Sequence, residues 1–522
     1  MELLISAGLI LAIVLWGVVA PDSLGTVFDT ALAAITRNFG WFYLWVVLGL
    51  VVMALILAFS RYGDLKLGQE DDEPEFSIGA WFAMLFAAGM GIGLVFWGVA
   101  EPISHYGTPP PGIAPNTPEA ANAAMRYSFF HWGLHPWAVY AVIAMCLAYF
   151  QFRKGAPGLF SSLFLPILGK DAARTPIGRI IDVAAVFATI AGVATSVGLA
   201  VMQVNSGLHF LFKLPENITV QLSLIVILGF FYTFCTATGL DKGIKFLANS
   251  NLTLCIVLSV GLLILGPTLP IIETSMAVIG NYLSHFITDS FRVAPYGGSY
   301  RNWLDDWTLY YWAWWIAWGP FVGSFVARIS RGRTIREFVA GVLIVPTLGG
   351  VVWFSIFGGT ALHIQVTGIA DIAQTVKDNI GVGIYLMYDY VPLGSIMSVL
   401  MMALLIIFVV TSASSSTYVL AMYTSDGMLN PPKSLENTAF DVTLTVTDNH
   451  GVAVSDTFTV ALGANLNDVP TGAVSIVNDS SAPRGTASPQ QGDVLSVGNT
   501  LVDGDGLGPI AYTWYANGVV IG

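Results

Sequence analysis

Ten apolar segments, each about as long as a membrane-spanning helix, recur along this chain and limit what it can fold into. Their ranges are 3–20, 41–60, 76–100, 136–152, 180–206, 219–239, 247–267, 307–327, 337–358 and 391–423. A helix of about 20 apolar residues crosses the hydrocarbon core of a bilayer. The mean hydropathy of +0.71, with only 10% charged residues, is too apolar for the surface of a soluble domain. We therefore predict an all-α polytopic membrane protein.

The distribution of charge predicts the orientation of these spans. With the loops assigned alternately to the two sides, one side carries 14 Lys and Arg and the other carries six. Basic loops stay in the cytoplasm, so the N-terminus is predicted to be cytoplasmic. The net charge of −12 comes mostly from residues 436–522, and no basic face for nucleic acid is found. Segment 271–290 includes Glu273, His285 and Asp289, and we predict an amphipathic helix along the outer surface.

Residues 303–318 contain six of the fifteen Trp of the chain. Helical spacing places five of its rings on one stripe, namely Trp307, Tyr311, Trp314, Trp315 and Trp318. Ring faces attract a quaternary ammonium, which has no N–H to donate, so the stripe is interpreted as a wall for such a ligand. The alternative is a belt of Trp at the membrane surface.

The third span contains three closely spaced glycines, Gly89, Gly91 and Gly93. Each glycine weakens a helix by up to about 1 kcal/mol relative to Ala, so this span is predicted to unwind locally. The free backbone groups of an unwound segment can hold an ion or a carboxylate. The alternative is close helix contact through Gly89 and Gly93. A dinucleotide site is disfavoured because no strand precedes the glycines.

The tenth span contains a cluster of hydroxyl side chains between Thr411 and Thr417. A hydroxyl within an apolar helix can donate to a carbonyl of its own helix, or its oxygen can bind a small cation. Both interpretations stay open from the sequence.

The fourth span begins with His131 and His135, which have the i, i+4 spacing of some metal sites. The catalytic Glu of a zinc protease is absent between them, and Pro136 is predicted to start a new helical run, so packing is the preferred interpretation. No nucleophile elbow or phosphate loop is found, and we expect no enzyme. The three cysteines, each within an apolar run, are expected to serve as packing residues: Cys146, Cys235 and Cys255.

Three stretches together resemble the betaine/choline/carnitine transporter family, and most closely its glycine betaine branch. They are AAGMGIGLVFWGVAEPISHY (87–106), HWGLHPWAVY (131–140) and DWTLYYWAWWIAWGPFVGSFVARISRGRTIREF (306–338). The resemblance covers residues 1–434. It implies a LeuT-like bundle of two inverted five-helix repeats preceded by two extra helices, a homotrimer, and transport by alternating access.

The resemblance also implies a substrate site and a sodium site. The substrate site would consist of an aromatic box and the glycine segment: Trp132, Trp137, Tyr140, Trp314, Trp315, Trp318, Gly89, Gly91 and Gly93. Sodium would bind the carbonyls of Ala87, Met90 and Phe408 and the hydroxyls of Thr411 and Ser412. For a second sodium site Thr189 matches, but Val193 replaces the other hydroxyl.

Gly93 favours a zwitterionic substrate over a simple cation. Family members that take choline resemble this motif but carry an acidic residue at the position of Gly93. Without that fixed negative charge, a substrate that brings its own carboxylate is the better match.

Residues 435–522 depart from the family pattern, which continues with two more membrane helices. Alternating residues in DVTLTVTD and DTFTVAL, separated by DNHG, predict antiparallel strands. This segment resembles cadherin-like or bacterial Ig-like repeats and implies a small all-β, sandwich-like fragment. Asp503 and Asp505 are candidate Ca²⁺ ligands, with an acidic glycine-rich turn as the preferred alternative. A chimeric fusion is a further hypothesis.

The resulting expectation is a multi-pass protein of a bacterial cell membrane, embedded in lipid, that imports glycine betaine or a related quaternary-ammonium zwitterion with sodium for osmoprotection. No cofactor is expected beyond the coupling ion. The alternatives are proton coupling, choline or carnitine transport, a truncated inactive chimera, and a surface adhesion protein in which the membrane part is an anchor.

Overall fold

A computed structural model describes residues 2–89, 91–237, 245–425 and 427–428, together with six strands of the C-terminal segment. The chain divides into two compact units, Met1–Leu429 and Asn430–Gly522. The regular secondary structure of the described residues of unit 1 is helical, apart from an isolated bridge between Lys66 and Thr334. Its helices are α1 (Glu2–Val19), α2 (Pro21–Phe59), α3 (Ile78–Gly89), α4 (Gly91–Gly107), α5 (Pro118–Trp132), α6 (Leu134–Ala148), α7 (Leu165–Leu168), α8 (Pro176–Phe212), α9 (Ile218–Ala237), α10 (Lys245–Leu265), α11 (Thr268–Ser290), α12 (Ser299–Leu304), α13 (Tyr310–Ile329), α14 (Ile335–Trp353), α15 (Gly359–Val366), α16 (Ile372–Asp378), α17 (Gly383–Asp389) and α18 (Gly394–Thr424).

Each of the ten predicted segments coincides with helix, but they are not equally suited to crossing a membrane. Within the described residues, five helical stretches are long and apolar enough, and two bent helix pairs bring the number to seven. The remaining predicted spans are shorter apolar stretches in α1 and α9, and α13. Seven of the ten predicted spans are therefore matched within the described residues, and the count of ten stays a prediction.

Breaks between helices occur close to the residues that predicted them. Helix α3 ends at Gly89 and α4 begins at Gly91, with 58° between the two helices. The fourth span breaks at Gly133 rather than at Pro136, so α6 starts two residues before the proline. Helix α11 covers segment 271–290 and is bent by 113° from the helix that precedes it.

Threonine side chains cap several of the long helices. The hydroxyls of Thr117, Thr175 and Thr334 each accept a hydrogen bond from the backbone N–H three residues later. At α14 the carboxylate of Glu337 also accepts from the N–H of Thr334, which completes a capping box. These caps satisfy backbone donors that a helix N-terminus leaves free.

Helices α6 and α13 pack closely because α13 presents two glycines to α6. A Cβ placed on Gly319 would lie 2.5 Å from Cδ1 of Ile143, and one placed on Gly323 would lie 2.5 Å from Cγ2 of the same residue. Only glycine fits at this separation. The pair has the small-xxx-small spacing that lets membrane helices approach each other.

Gly323→Leu is expected to lower the thermal midpoint of the purified protein, because the added side chain would push α13 away from α6. Overpacking of this kind costs about 1–3 kcal/mol or more. Gly49→Leu is the matched control, since a Cβ on Gly49 meets no atom within 4 Å. The midpoint can be measured in detergent by fluorescence-detected size exclusion after heating. Equal midpoints for the two variants would contradict the contact.

On the predicted cytoplasmic side, salt bridges join the segment between α2 and α3 to the end of α13, the following loop and the start of α14. The pairs, with their N–O distances, are Arg336–Asp64 at 2.6 Å, Arg331–Asp72 at 2.9 Å and Arg328–Glu75 at 2.5 Å. The hydrogen bond from Arg331 lowers the pKa of Asp72. The Arg331–Asp72 pair is thus expected to persist above about pH 4 and to weaken as the pH falls through the lowered pKa.

Unit 2 contains three two-stranded antiparallel sheets in its described residues. Strand β1 (Ala439–Thr447) pairs with β2 (Ala453–Ala461), β3 (Val474–Asn478) with β4 (Leu495–Asn499), and β5 (Tyr515–Ala516) with β6 (Val519–Val520). The first pair corresponds to the predicted alternating strands. A sandwich of these sheets stays a prediction, and Asp503 and Asp505 lie outside the described residues.

Candidate functional site

Helices α5, α6 and α13 bring seven aromatic side chains into one continuous cluster, called here the aromatic cluster. Its centre is the pair Trp132 and Trp315, whose ring centroids lie 4.9 Å apart at 73°. Trp314 stacks on Trp315 at 4.9 Å and 18°. Further ring contacts complete the set of members: Trp132, Trp137, Tyr140, Tyr311, Trp314, Trp315 and Trp318. The structure thus brings the six rings of the predicted box together.

The aromatic cluster lies inside the protein. Six of its members are buried, and Trp314 is partly buried. This burial disagrees with a belt of Trp at the membrane surface, where one end of each ring would contact water. Within the cluster, Tyr311 stacks with both Trp314 and Trp315, at interplanar angles of 10° and 23°.

Three members of the aromatic cluster carry a hydrogen-bond donor that has no partner in the described part of the chain. These donors are Nε1 of Trp314, Nε1 of Trp318 and the hydroxyl of Tyr140. A buried N–H or O–H without an acceptor costs about 1–3 kcal/mol. Buried donors without acceptors therefore favour a ligand that presents an oxygen anion to them.

Gly93, at the start of α4, lies against the edge of the aromatic cluster. A Cβ on Gly93 would lie 2.8 Å from Cη2 of Trp132 and 3.5 Å from Cη2 of Trp314. An acidic side chain at this position would place its charge directly beside those rings. At Trp318, Gly192 of α8 has the same relation to the cluster, since a Cβ on Gly192 would lie 2.6 Å from Nε1 of Trp318. Both glycines let backbone come close to indole rings.

Behind the aromatic cluster lies a carboxylate that the sequence analysis did not single out, Glu101 of α4. Its side chain is fully buried. Oε2 accepts hydrogen bonds from Nε1 of Trp132 at 2.7 Å and from the hydroxyl of Tyr311 at 2.6 Å. Oε1 accepts from Nδ1 of His131 at 2.7 Å and lies 3.3 Å from Nε2 of His105. Part of the signal was available, since Glu101 directly follows the predicted span 76–100, and an acidic residue within a membrane helix is a functional candidate by default.

The structure separates the two histidines that have metal-like spacing. His131 contacts Glu101, whereas Nε2 of His135 bonds to the hydroxyl of Ser290 at 2.9 Å. His131 instead forms a group with Glu101 and His105, whose ligand atoms lie within 4.8 Å of one another. Such a group has the donor types of a transition-metal site. Hydrogen bonds from protein donors already occupy both carboxylate oxygens, so a metal is not needed to satisfy them.

A second polar site lies on α18, where the hydroxyl of Thr411 makes two hydrogen bonds. It donates to the carbonyl of Ile407 at 2.7 Å and accepts from Nδ2 of Asn251 at 3.0 Å. Back-bonding to the helix therefore occurs, as one alternative predicted, yet the oxygen keeps a free lone pair. Asn251 of α10 is fully buried, and its Oδ1 has no partner among the described residues.

Two of the predicted sodium ligands on α18, Phe408 and Ser412, lie beside Gly91 at the start of α4. A Cβ on Gly91 would lie 3.1 Å from Oγ of Ser412 and 3.2 Å from Cδ1 of Phe408. Of the other predicted sodium ligands, Met90 lies outside the described residues, as do the surroundings of Ala87 and those of Gly89 of the predicted substrate site. For the doubtful second site, Thr189 donates to its own helix at Ala185.

Comparison with known proteins gives a match over most of the chain. Residues 3–447 match the family described as BCCT, betaine/carnitine/choline family transporter, a range that runs past residue 434. The glycine betaine transporter OpuD of Bacillus subtilis (strain 168) is 50% identical over 81% of this chain and 82% of its own. An ectoine/hydroxyectoine transporter of Virgibacillus pantothenticus is 43% identical over 82% of this chain and 84% of its own. Glycine betaine transporter 1 of Vibrio parahaemolyticus is 38% identical over 82% of each.

Proposed function

The chain belongs to the betaine/carnitine/choline transporter family, and on that premise we propose that it imports glycine betaine or a related quaternary-ammonium zwitterion, coupled to sodium. It is a multi-pass membrane transporter and not an enzyme. The three relatives named above carry small osmolytes, by their names, which supports an osmolyte as the substrate.

One observation carries the proposal, namely the pairing of ring faces with free donors in the aromatic cluster. The faces of Trp132 and Trp315 attract the methylated nitrogen, with up to about 2 kcal/mol for each desolvated contact. The donors of Trp314, Trp318 and Tyr140 suit the carboxylate. The two halves of a zwitterion thus correspond to the two kinds of group in the cluster.

The absence of an acidic side chain at position 93 supports a zwitterion over choline. Gly93 is the residue that touches Trp132 and Trp314, and it brings no charge. The buried carboxylate of Glu101 is held by Trp132 and Tyr311 through their polar atoms. A pure cation would therefore have no free carboxylate within the cluster to pair with.

Sodium coupling is proposed from hydroxyl oxygens of α18 close to the start of α4. Ser412 lies beside Gly91, and Thr411 precedes it on the same helix. Backbone carbonyls at a break in a membrane span are a further source of oxygen ligands for an ion. The orphan Oδ1 of Asn251 lies on the side chain that bonds Thr411, which adds an oxygen of the type that hard cations prefer. The homotrimer, the cytoplasmic N-terminus and calcium at Asp503 and Asp505 stay predictions.

Uptake of labelled glycine betaine into a transporter-deficient bacterial strain tests the proposal. We expect uptake that requires an inward sodium gradient, that is insensitive to a proton gradient, and that excess unlabelled choline competes with only weakly. Uptake driven by a proton gradient alone would overturn sodium coupling. Uptake of choline in preference to betaine would overturn the zwitterion, and no uptake above background would favour an inactive chimera.

A further inference from the structure

We propose that Glu101 is a positioning residue that holds Trp132 and Tyr311 in the orientation that substrate binding requires. The inference rests on the proposed function, since it concerns the same aromatic cluster. Both of its contacts in the cluster go to one oxygen, Oε2, at 2.7 Å and 2.6 Å. Glu101 itself does not belong to the cluster, and its role would be exerted through those two side chains.

The hydrogen bonds fix rings that packing alone would leave free to tilt. An indole has a single N–H, so the bond to Glu101 sets the direction of the Trp132 ring. The Trp132 ring in turn meets Trp315 at 73° and Tyr311 at 71°, both in edge-to-face geometry. Rotation of Trp132 would remove both edge contacts and change which ring faces are presented to a ligand.

The side chain of Glu101 is hydrogen-bonded by residues of three helices, α4, α5 and α13. His105 lies one turn later on α4, and His131 comes from α5. Nε2 of His131 bonds at 2.9 Å to the hydroxyl of Thr308, in the π-helical turn before α13. The carbonyl of His131 also accepts a hydrogen bond from Nε1 of Trp315 at 3.0 Å. The network therefore connects α4 and α5 to the helix that carries most of the rings.

The carboxylate has as many donors as it can accept. A carboxylate has about four acceptor sites, and Glu101 receives four contacts, two on each oxygen. Hydrogen bonds to an ionised group are about twice as strong as neutral ones, which suits a fixed frame. A glutamine keeps an oxygen for Trp132 and Tyr311, and its N–H₂ can donate to the histidines after a change of tautomer. The Glu101→Gln variant thus keeps the hydrogen-bond geometry and removes the negative charge.

The test compares Glu101→Gln with Glu101→Leu in betaine uptake, normalised to folded protein. For Glu101→Leu we expect the KM to rise about tenfold or more, with the maximal rate within about threefold of wild type. For Glu101→Gln we expect a KM within about threefold of wild type. An unchanged KM in Glu101→Leu would overturn the proposal. An equal rise in both variants would also overturn it, because charge rather than geometry would then be responsible.

Two further variants keep the proposal testable. Asp182→Asn is the matched control, since Asp182 is a buried carboxylate that accepts two hydrogen bonds from Ser161, and its KM should not change. Should Glu101→Leu not fold, Tyr311→Phe removes only the hydroxyl, and we expect its KM to rise about threefold or more while the protein stays folded. An unchanged KM in Tyr311→Phe would contradict the positioning role.

Near-ultraviolet circular dichroism of the purified protein reports on the packing of the aromatic rings in the absence of substrate. Glu101→Leu should alter the Trp signal, whereas Glu101→Gln and Asp182→Asn should leave it close to wild type. An unaltered signal in Glu101→Leu would overturn the proposal. If the wild-type protein takes up no betaine, the proposed function fails, while the dichroism still decides whether Glu101 positions the rings.

Discussion

Trp315→Leu is expected to raise the KM for glycine betaine uptake about tenfold or more while the protein stays folded. Trp315 stacks on Trp314 and meets the edge of Trp132, so its ring lies at the centre of the aromatic cluster. Loss of one desolvated cation–π contact removes up to about 2 kcal/mol, and 1.4 kcal/mol corresponds to tenfold in affinity.

The control for this prediction is the same substitution at a Trp that does not belong to the aromatic cluster. Trp41 of α2 is more than half exposed, and its Nε1 bonds only to the carbonyl of Asn38 in the same helix. Uptake is measured with labelled betaine in vesicles and corrected for the amount of folded protein. A KM for Trp315→Leu equal to that of Trp41→Leu would refute the assignment of the substrate site.

Thr411→Val is expected to raise the sodium concentration for half-maximal uptake about tenfold or more. Valine keeps the shape of threonine but removes the oxygen that accepts a hydrogen bond from Asn251 of α10. Thr411→Ser should restore most of the sodium affinity, because it returns the hydroxyl. The measurement is initial uptake rate against external sodium at a fixed membrane potential.

Thr417→Val is the matched control on the same helix. Its hydroxyl donates to the carbonyl of Ala413, as the Thr411 hydroxyl does to Ile407, but it has no bond to another helix in the described residues. We expect its sodium dependence to match the wild type. Equal shifts in Thr411→Val and Thr417→Val would show that lost back-bonding, rather than a cation ligand, explains the effect.

The sequence could predict features that depend on local spacing. Helical periodicity placed Tyr311, Trp314 and Trp315 on one stripe, and the structure stacks these rings. The three glycines of the third span predicted a break, and α3 and α4 meet there. The aromatic stripe and the helix break both depend on residues within about one turn of each other. Such local relations can be derived from the sequence alone.

Features that depend on partners far apart in the chain could not be derived from spacing. Glu101 bonds Tyr311, which is 210 residues away, and no pattern within either helix specifies that pair. Asn251 and Thr411 are likewise joined across 160 residues. By contrast, Gly319 and Gly323 have the small-xxx-small spacing of a helix contact. The sequence therefore contained this signal, although the sequence analysis did not use it.

The helix boundary near Pro136 shows how competing local signals are resolved by the fold. Proline favoured a start at residue 136, yet α6 begins at Leu134 after a break at Gly133. A Cβ on Gly133 would lie 2.5 Å from the carbonyl oxygen of Phe129 and 2.8 Å from the hydroxyl of Tyr282, so the position requires glycine. Tertiary contact with α11 therefore fixes the break, and proline is accommodated in the first turn of the new helix.

The aromatic cluster is tested most directly by comparing two ligands of the same shape. Glycine betaine and 3,3-dimethylbutanoate share a carboxylate and three methyl groups, but only betaine has a positively charged nitrogen. Binding to the purified protein in sodium can be followed by Trp fluorescence. Cation–π recognition predicts that the carbon analogue binds at least about tenfold more weakly. Equal affinities would contradict it, because ring faces would then be recognising size and not charge.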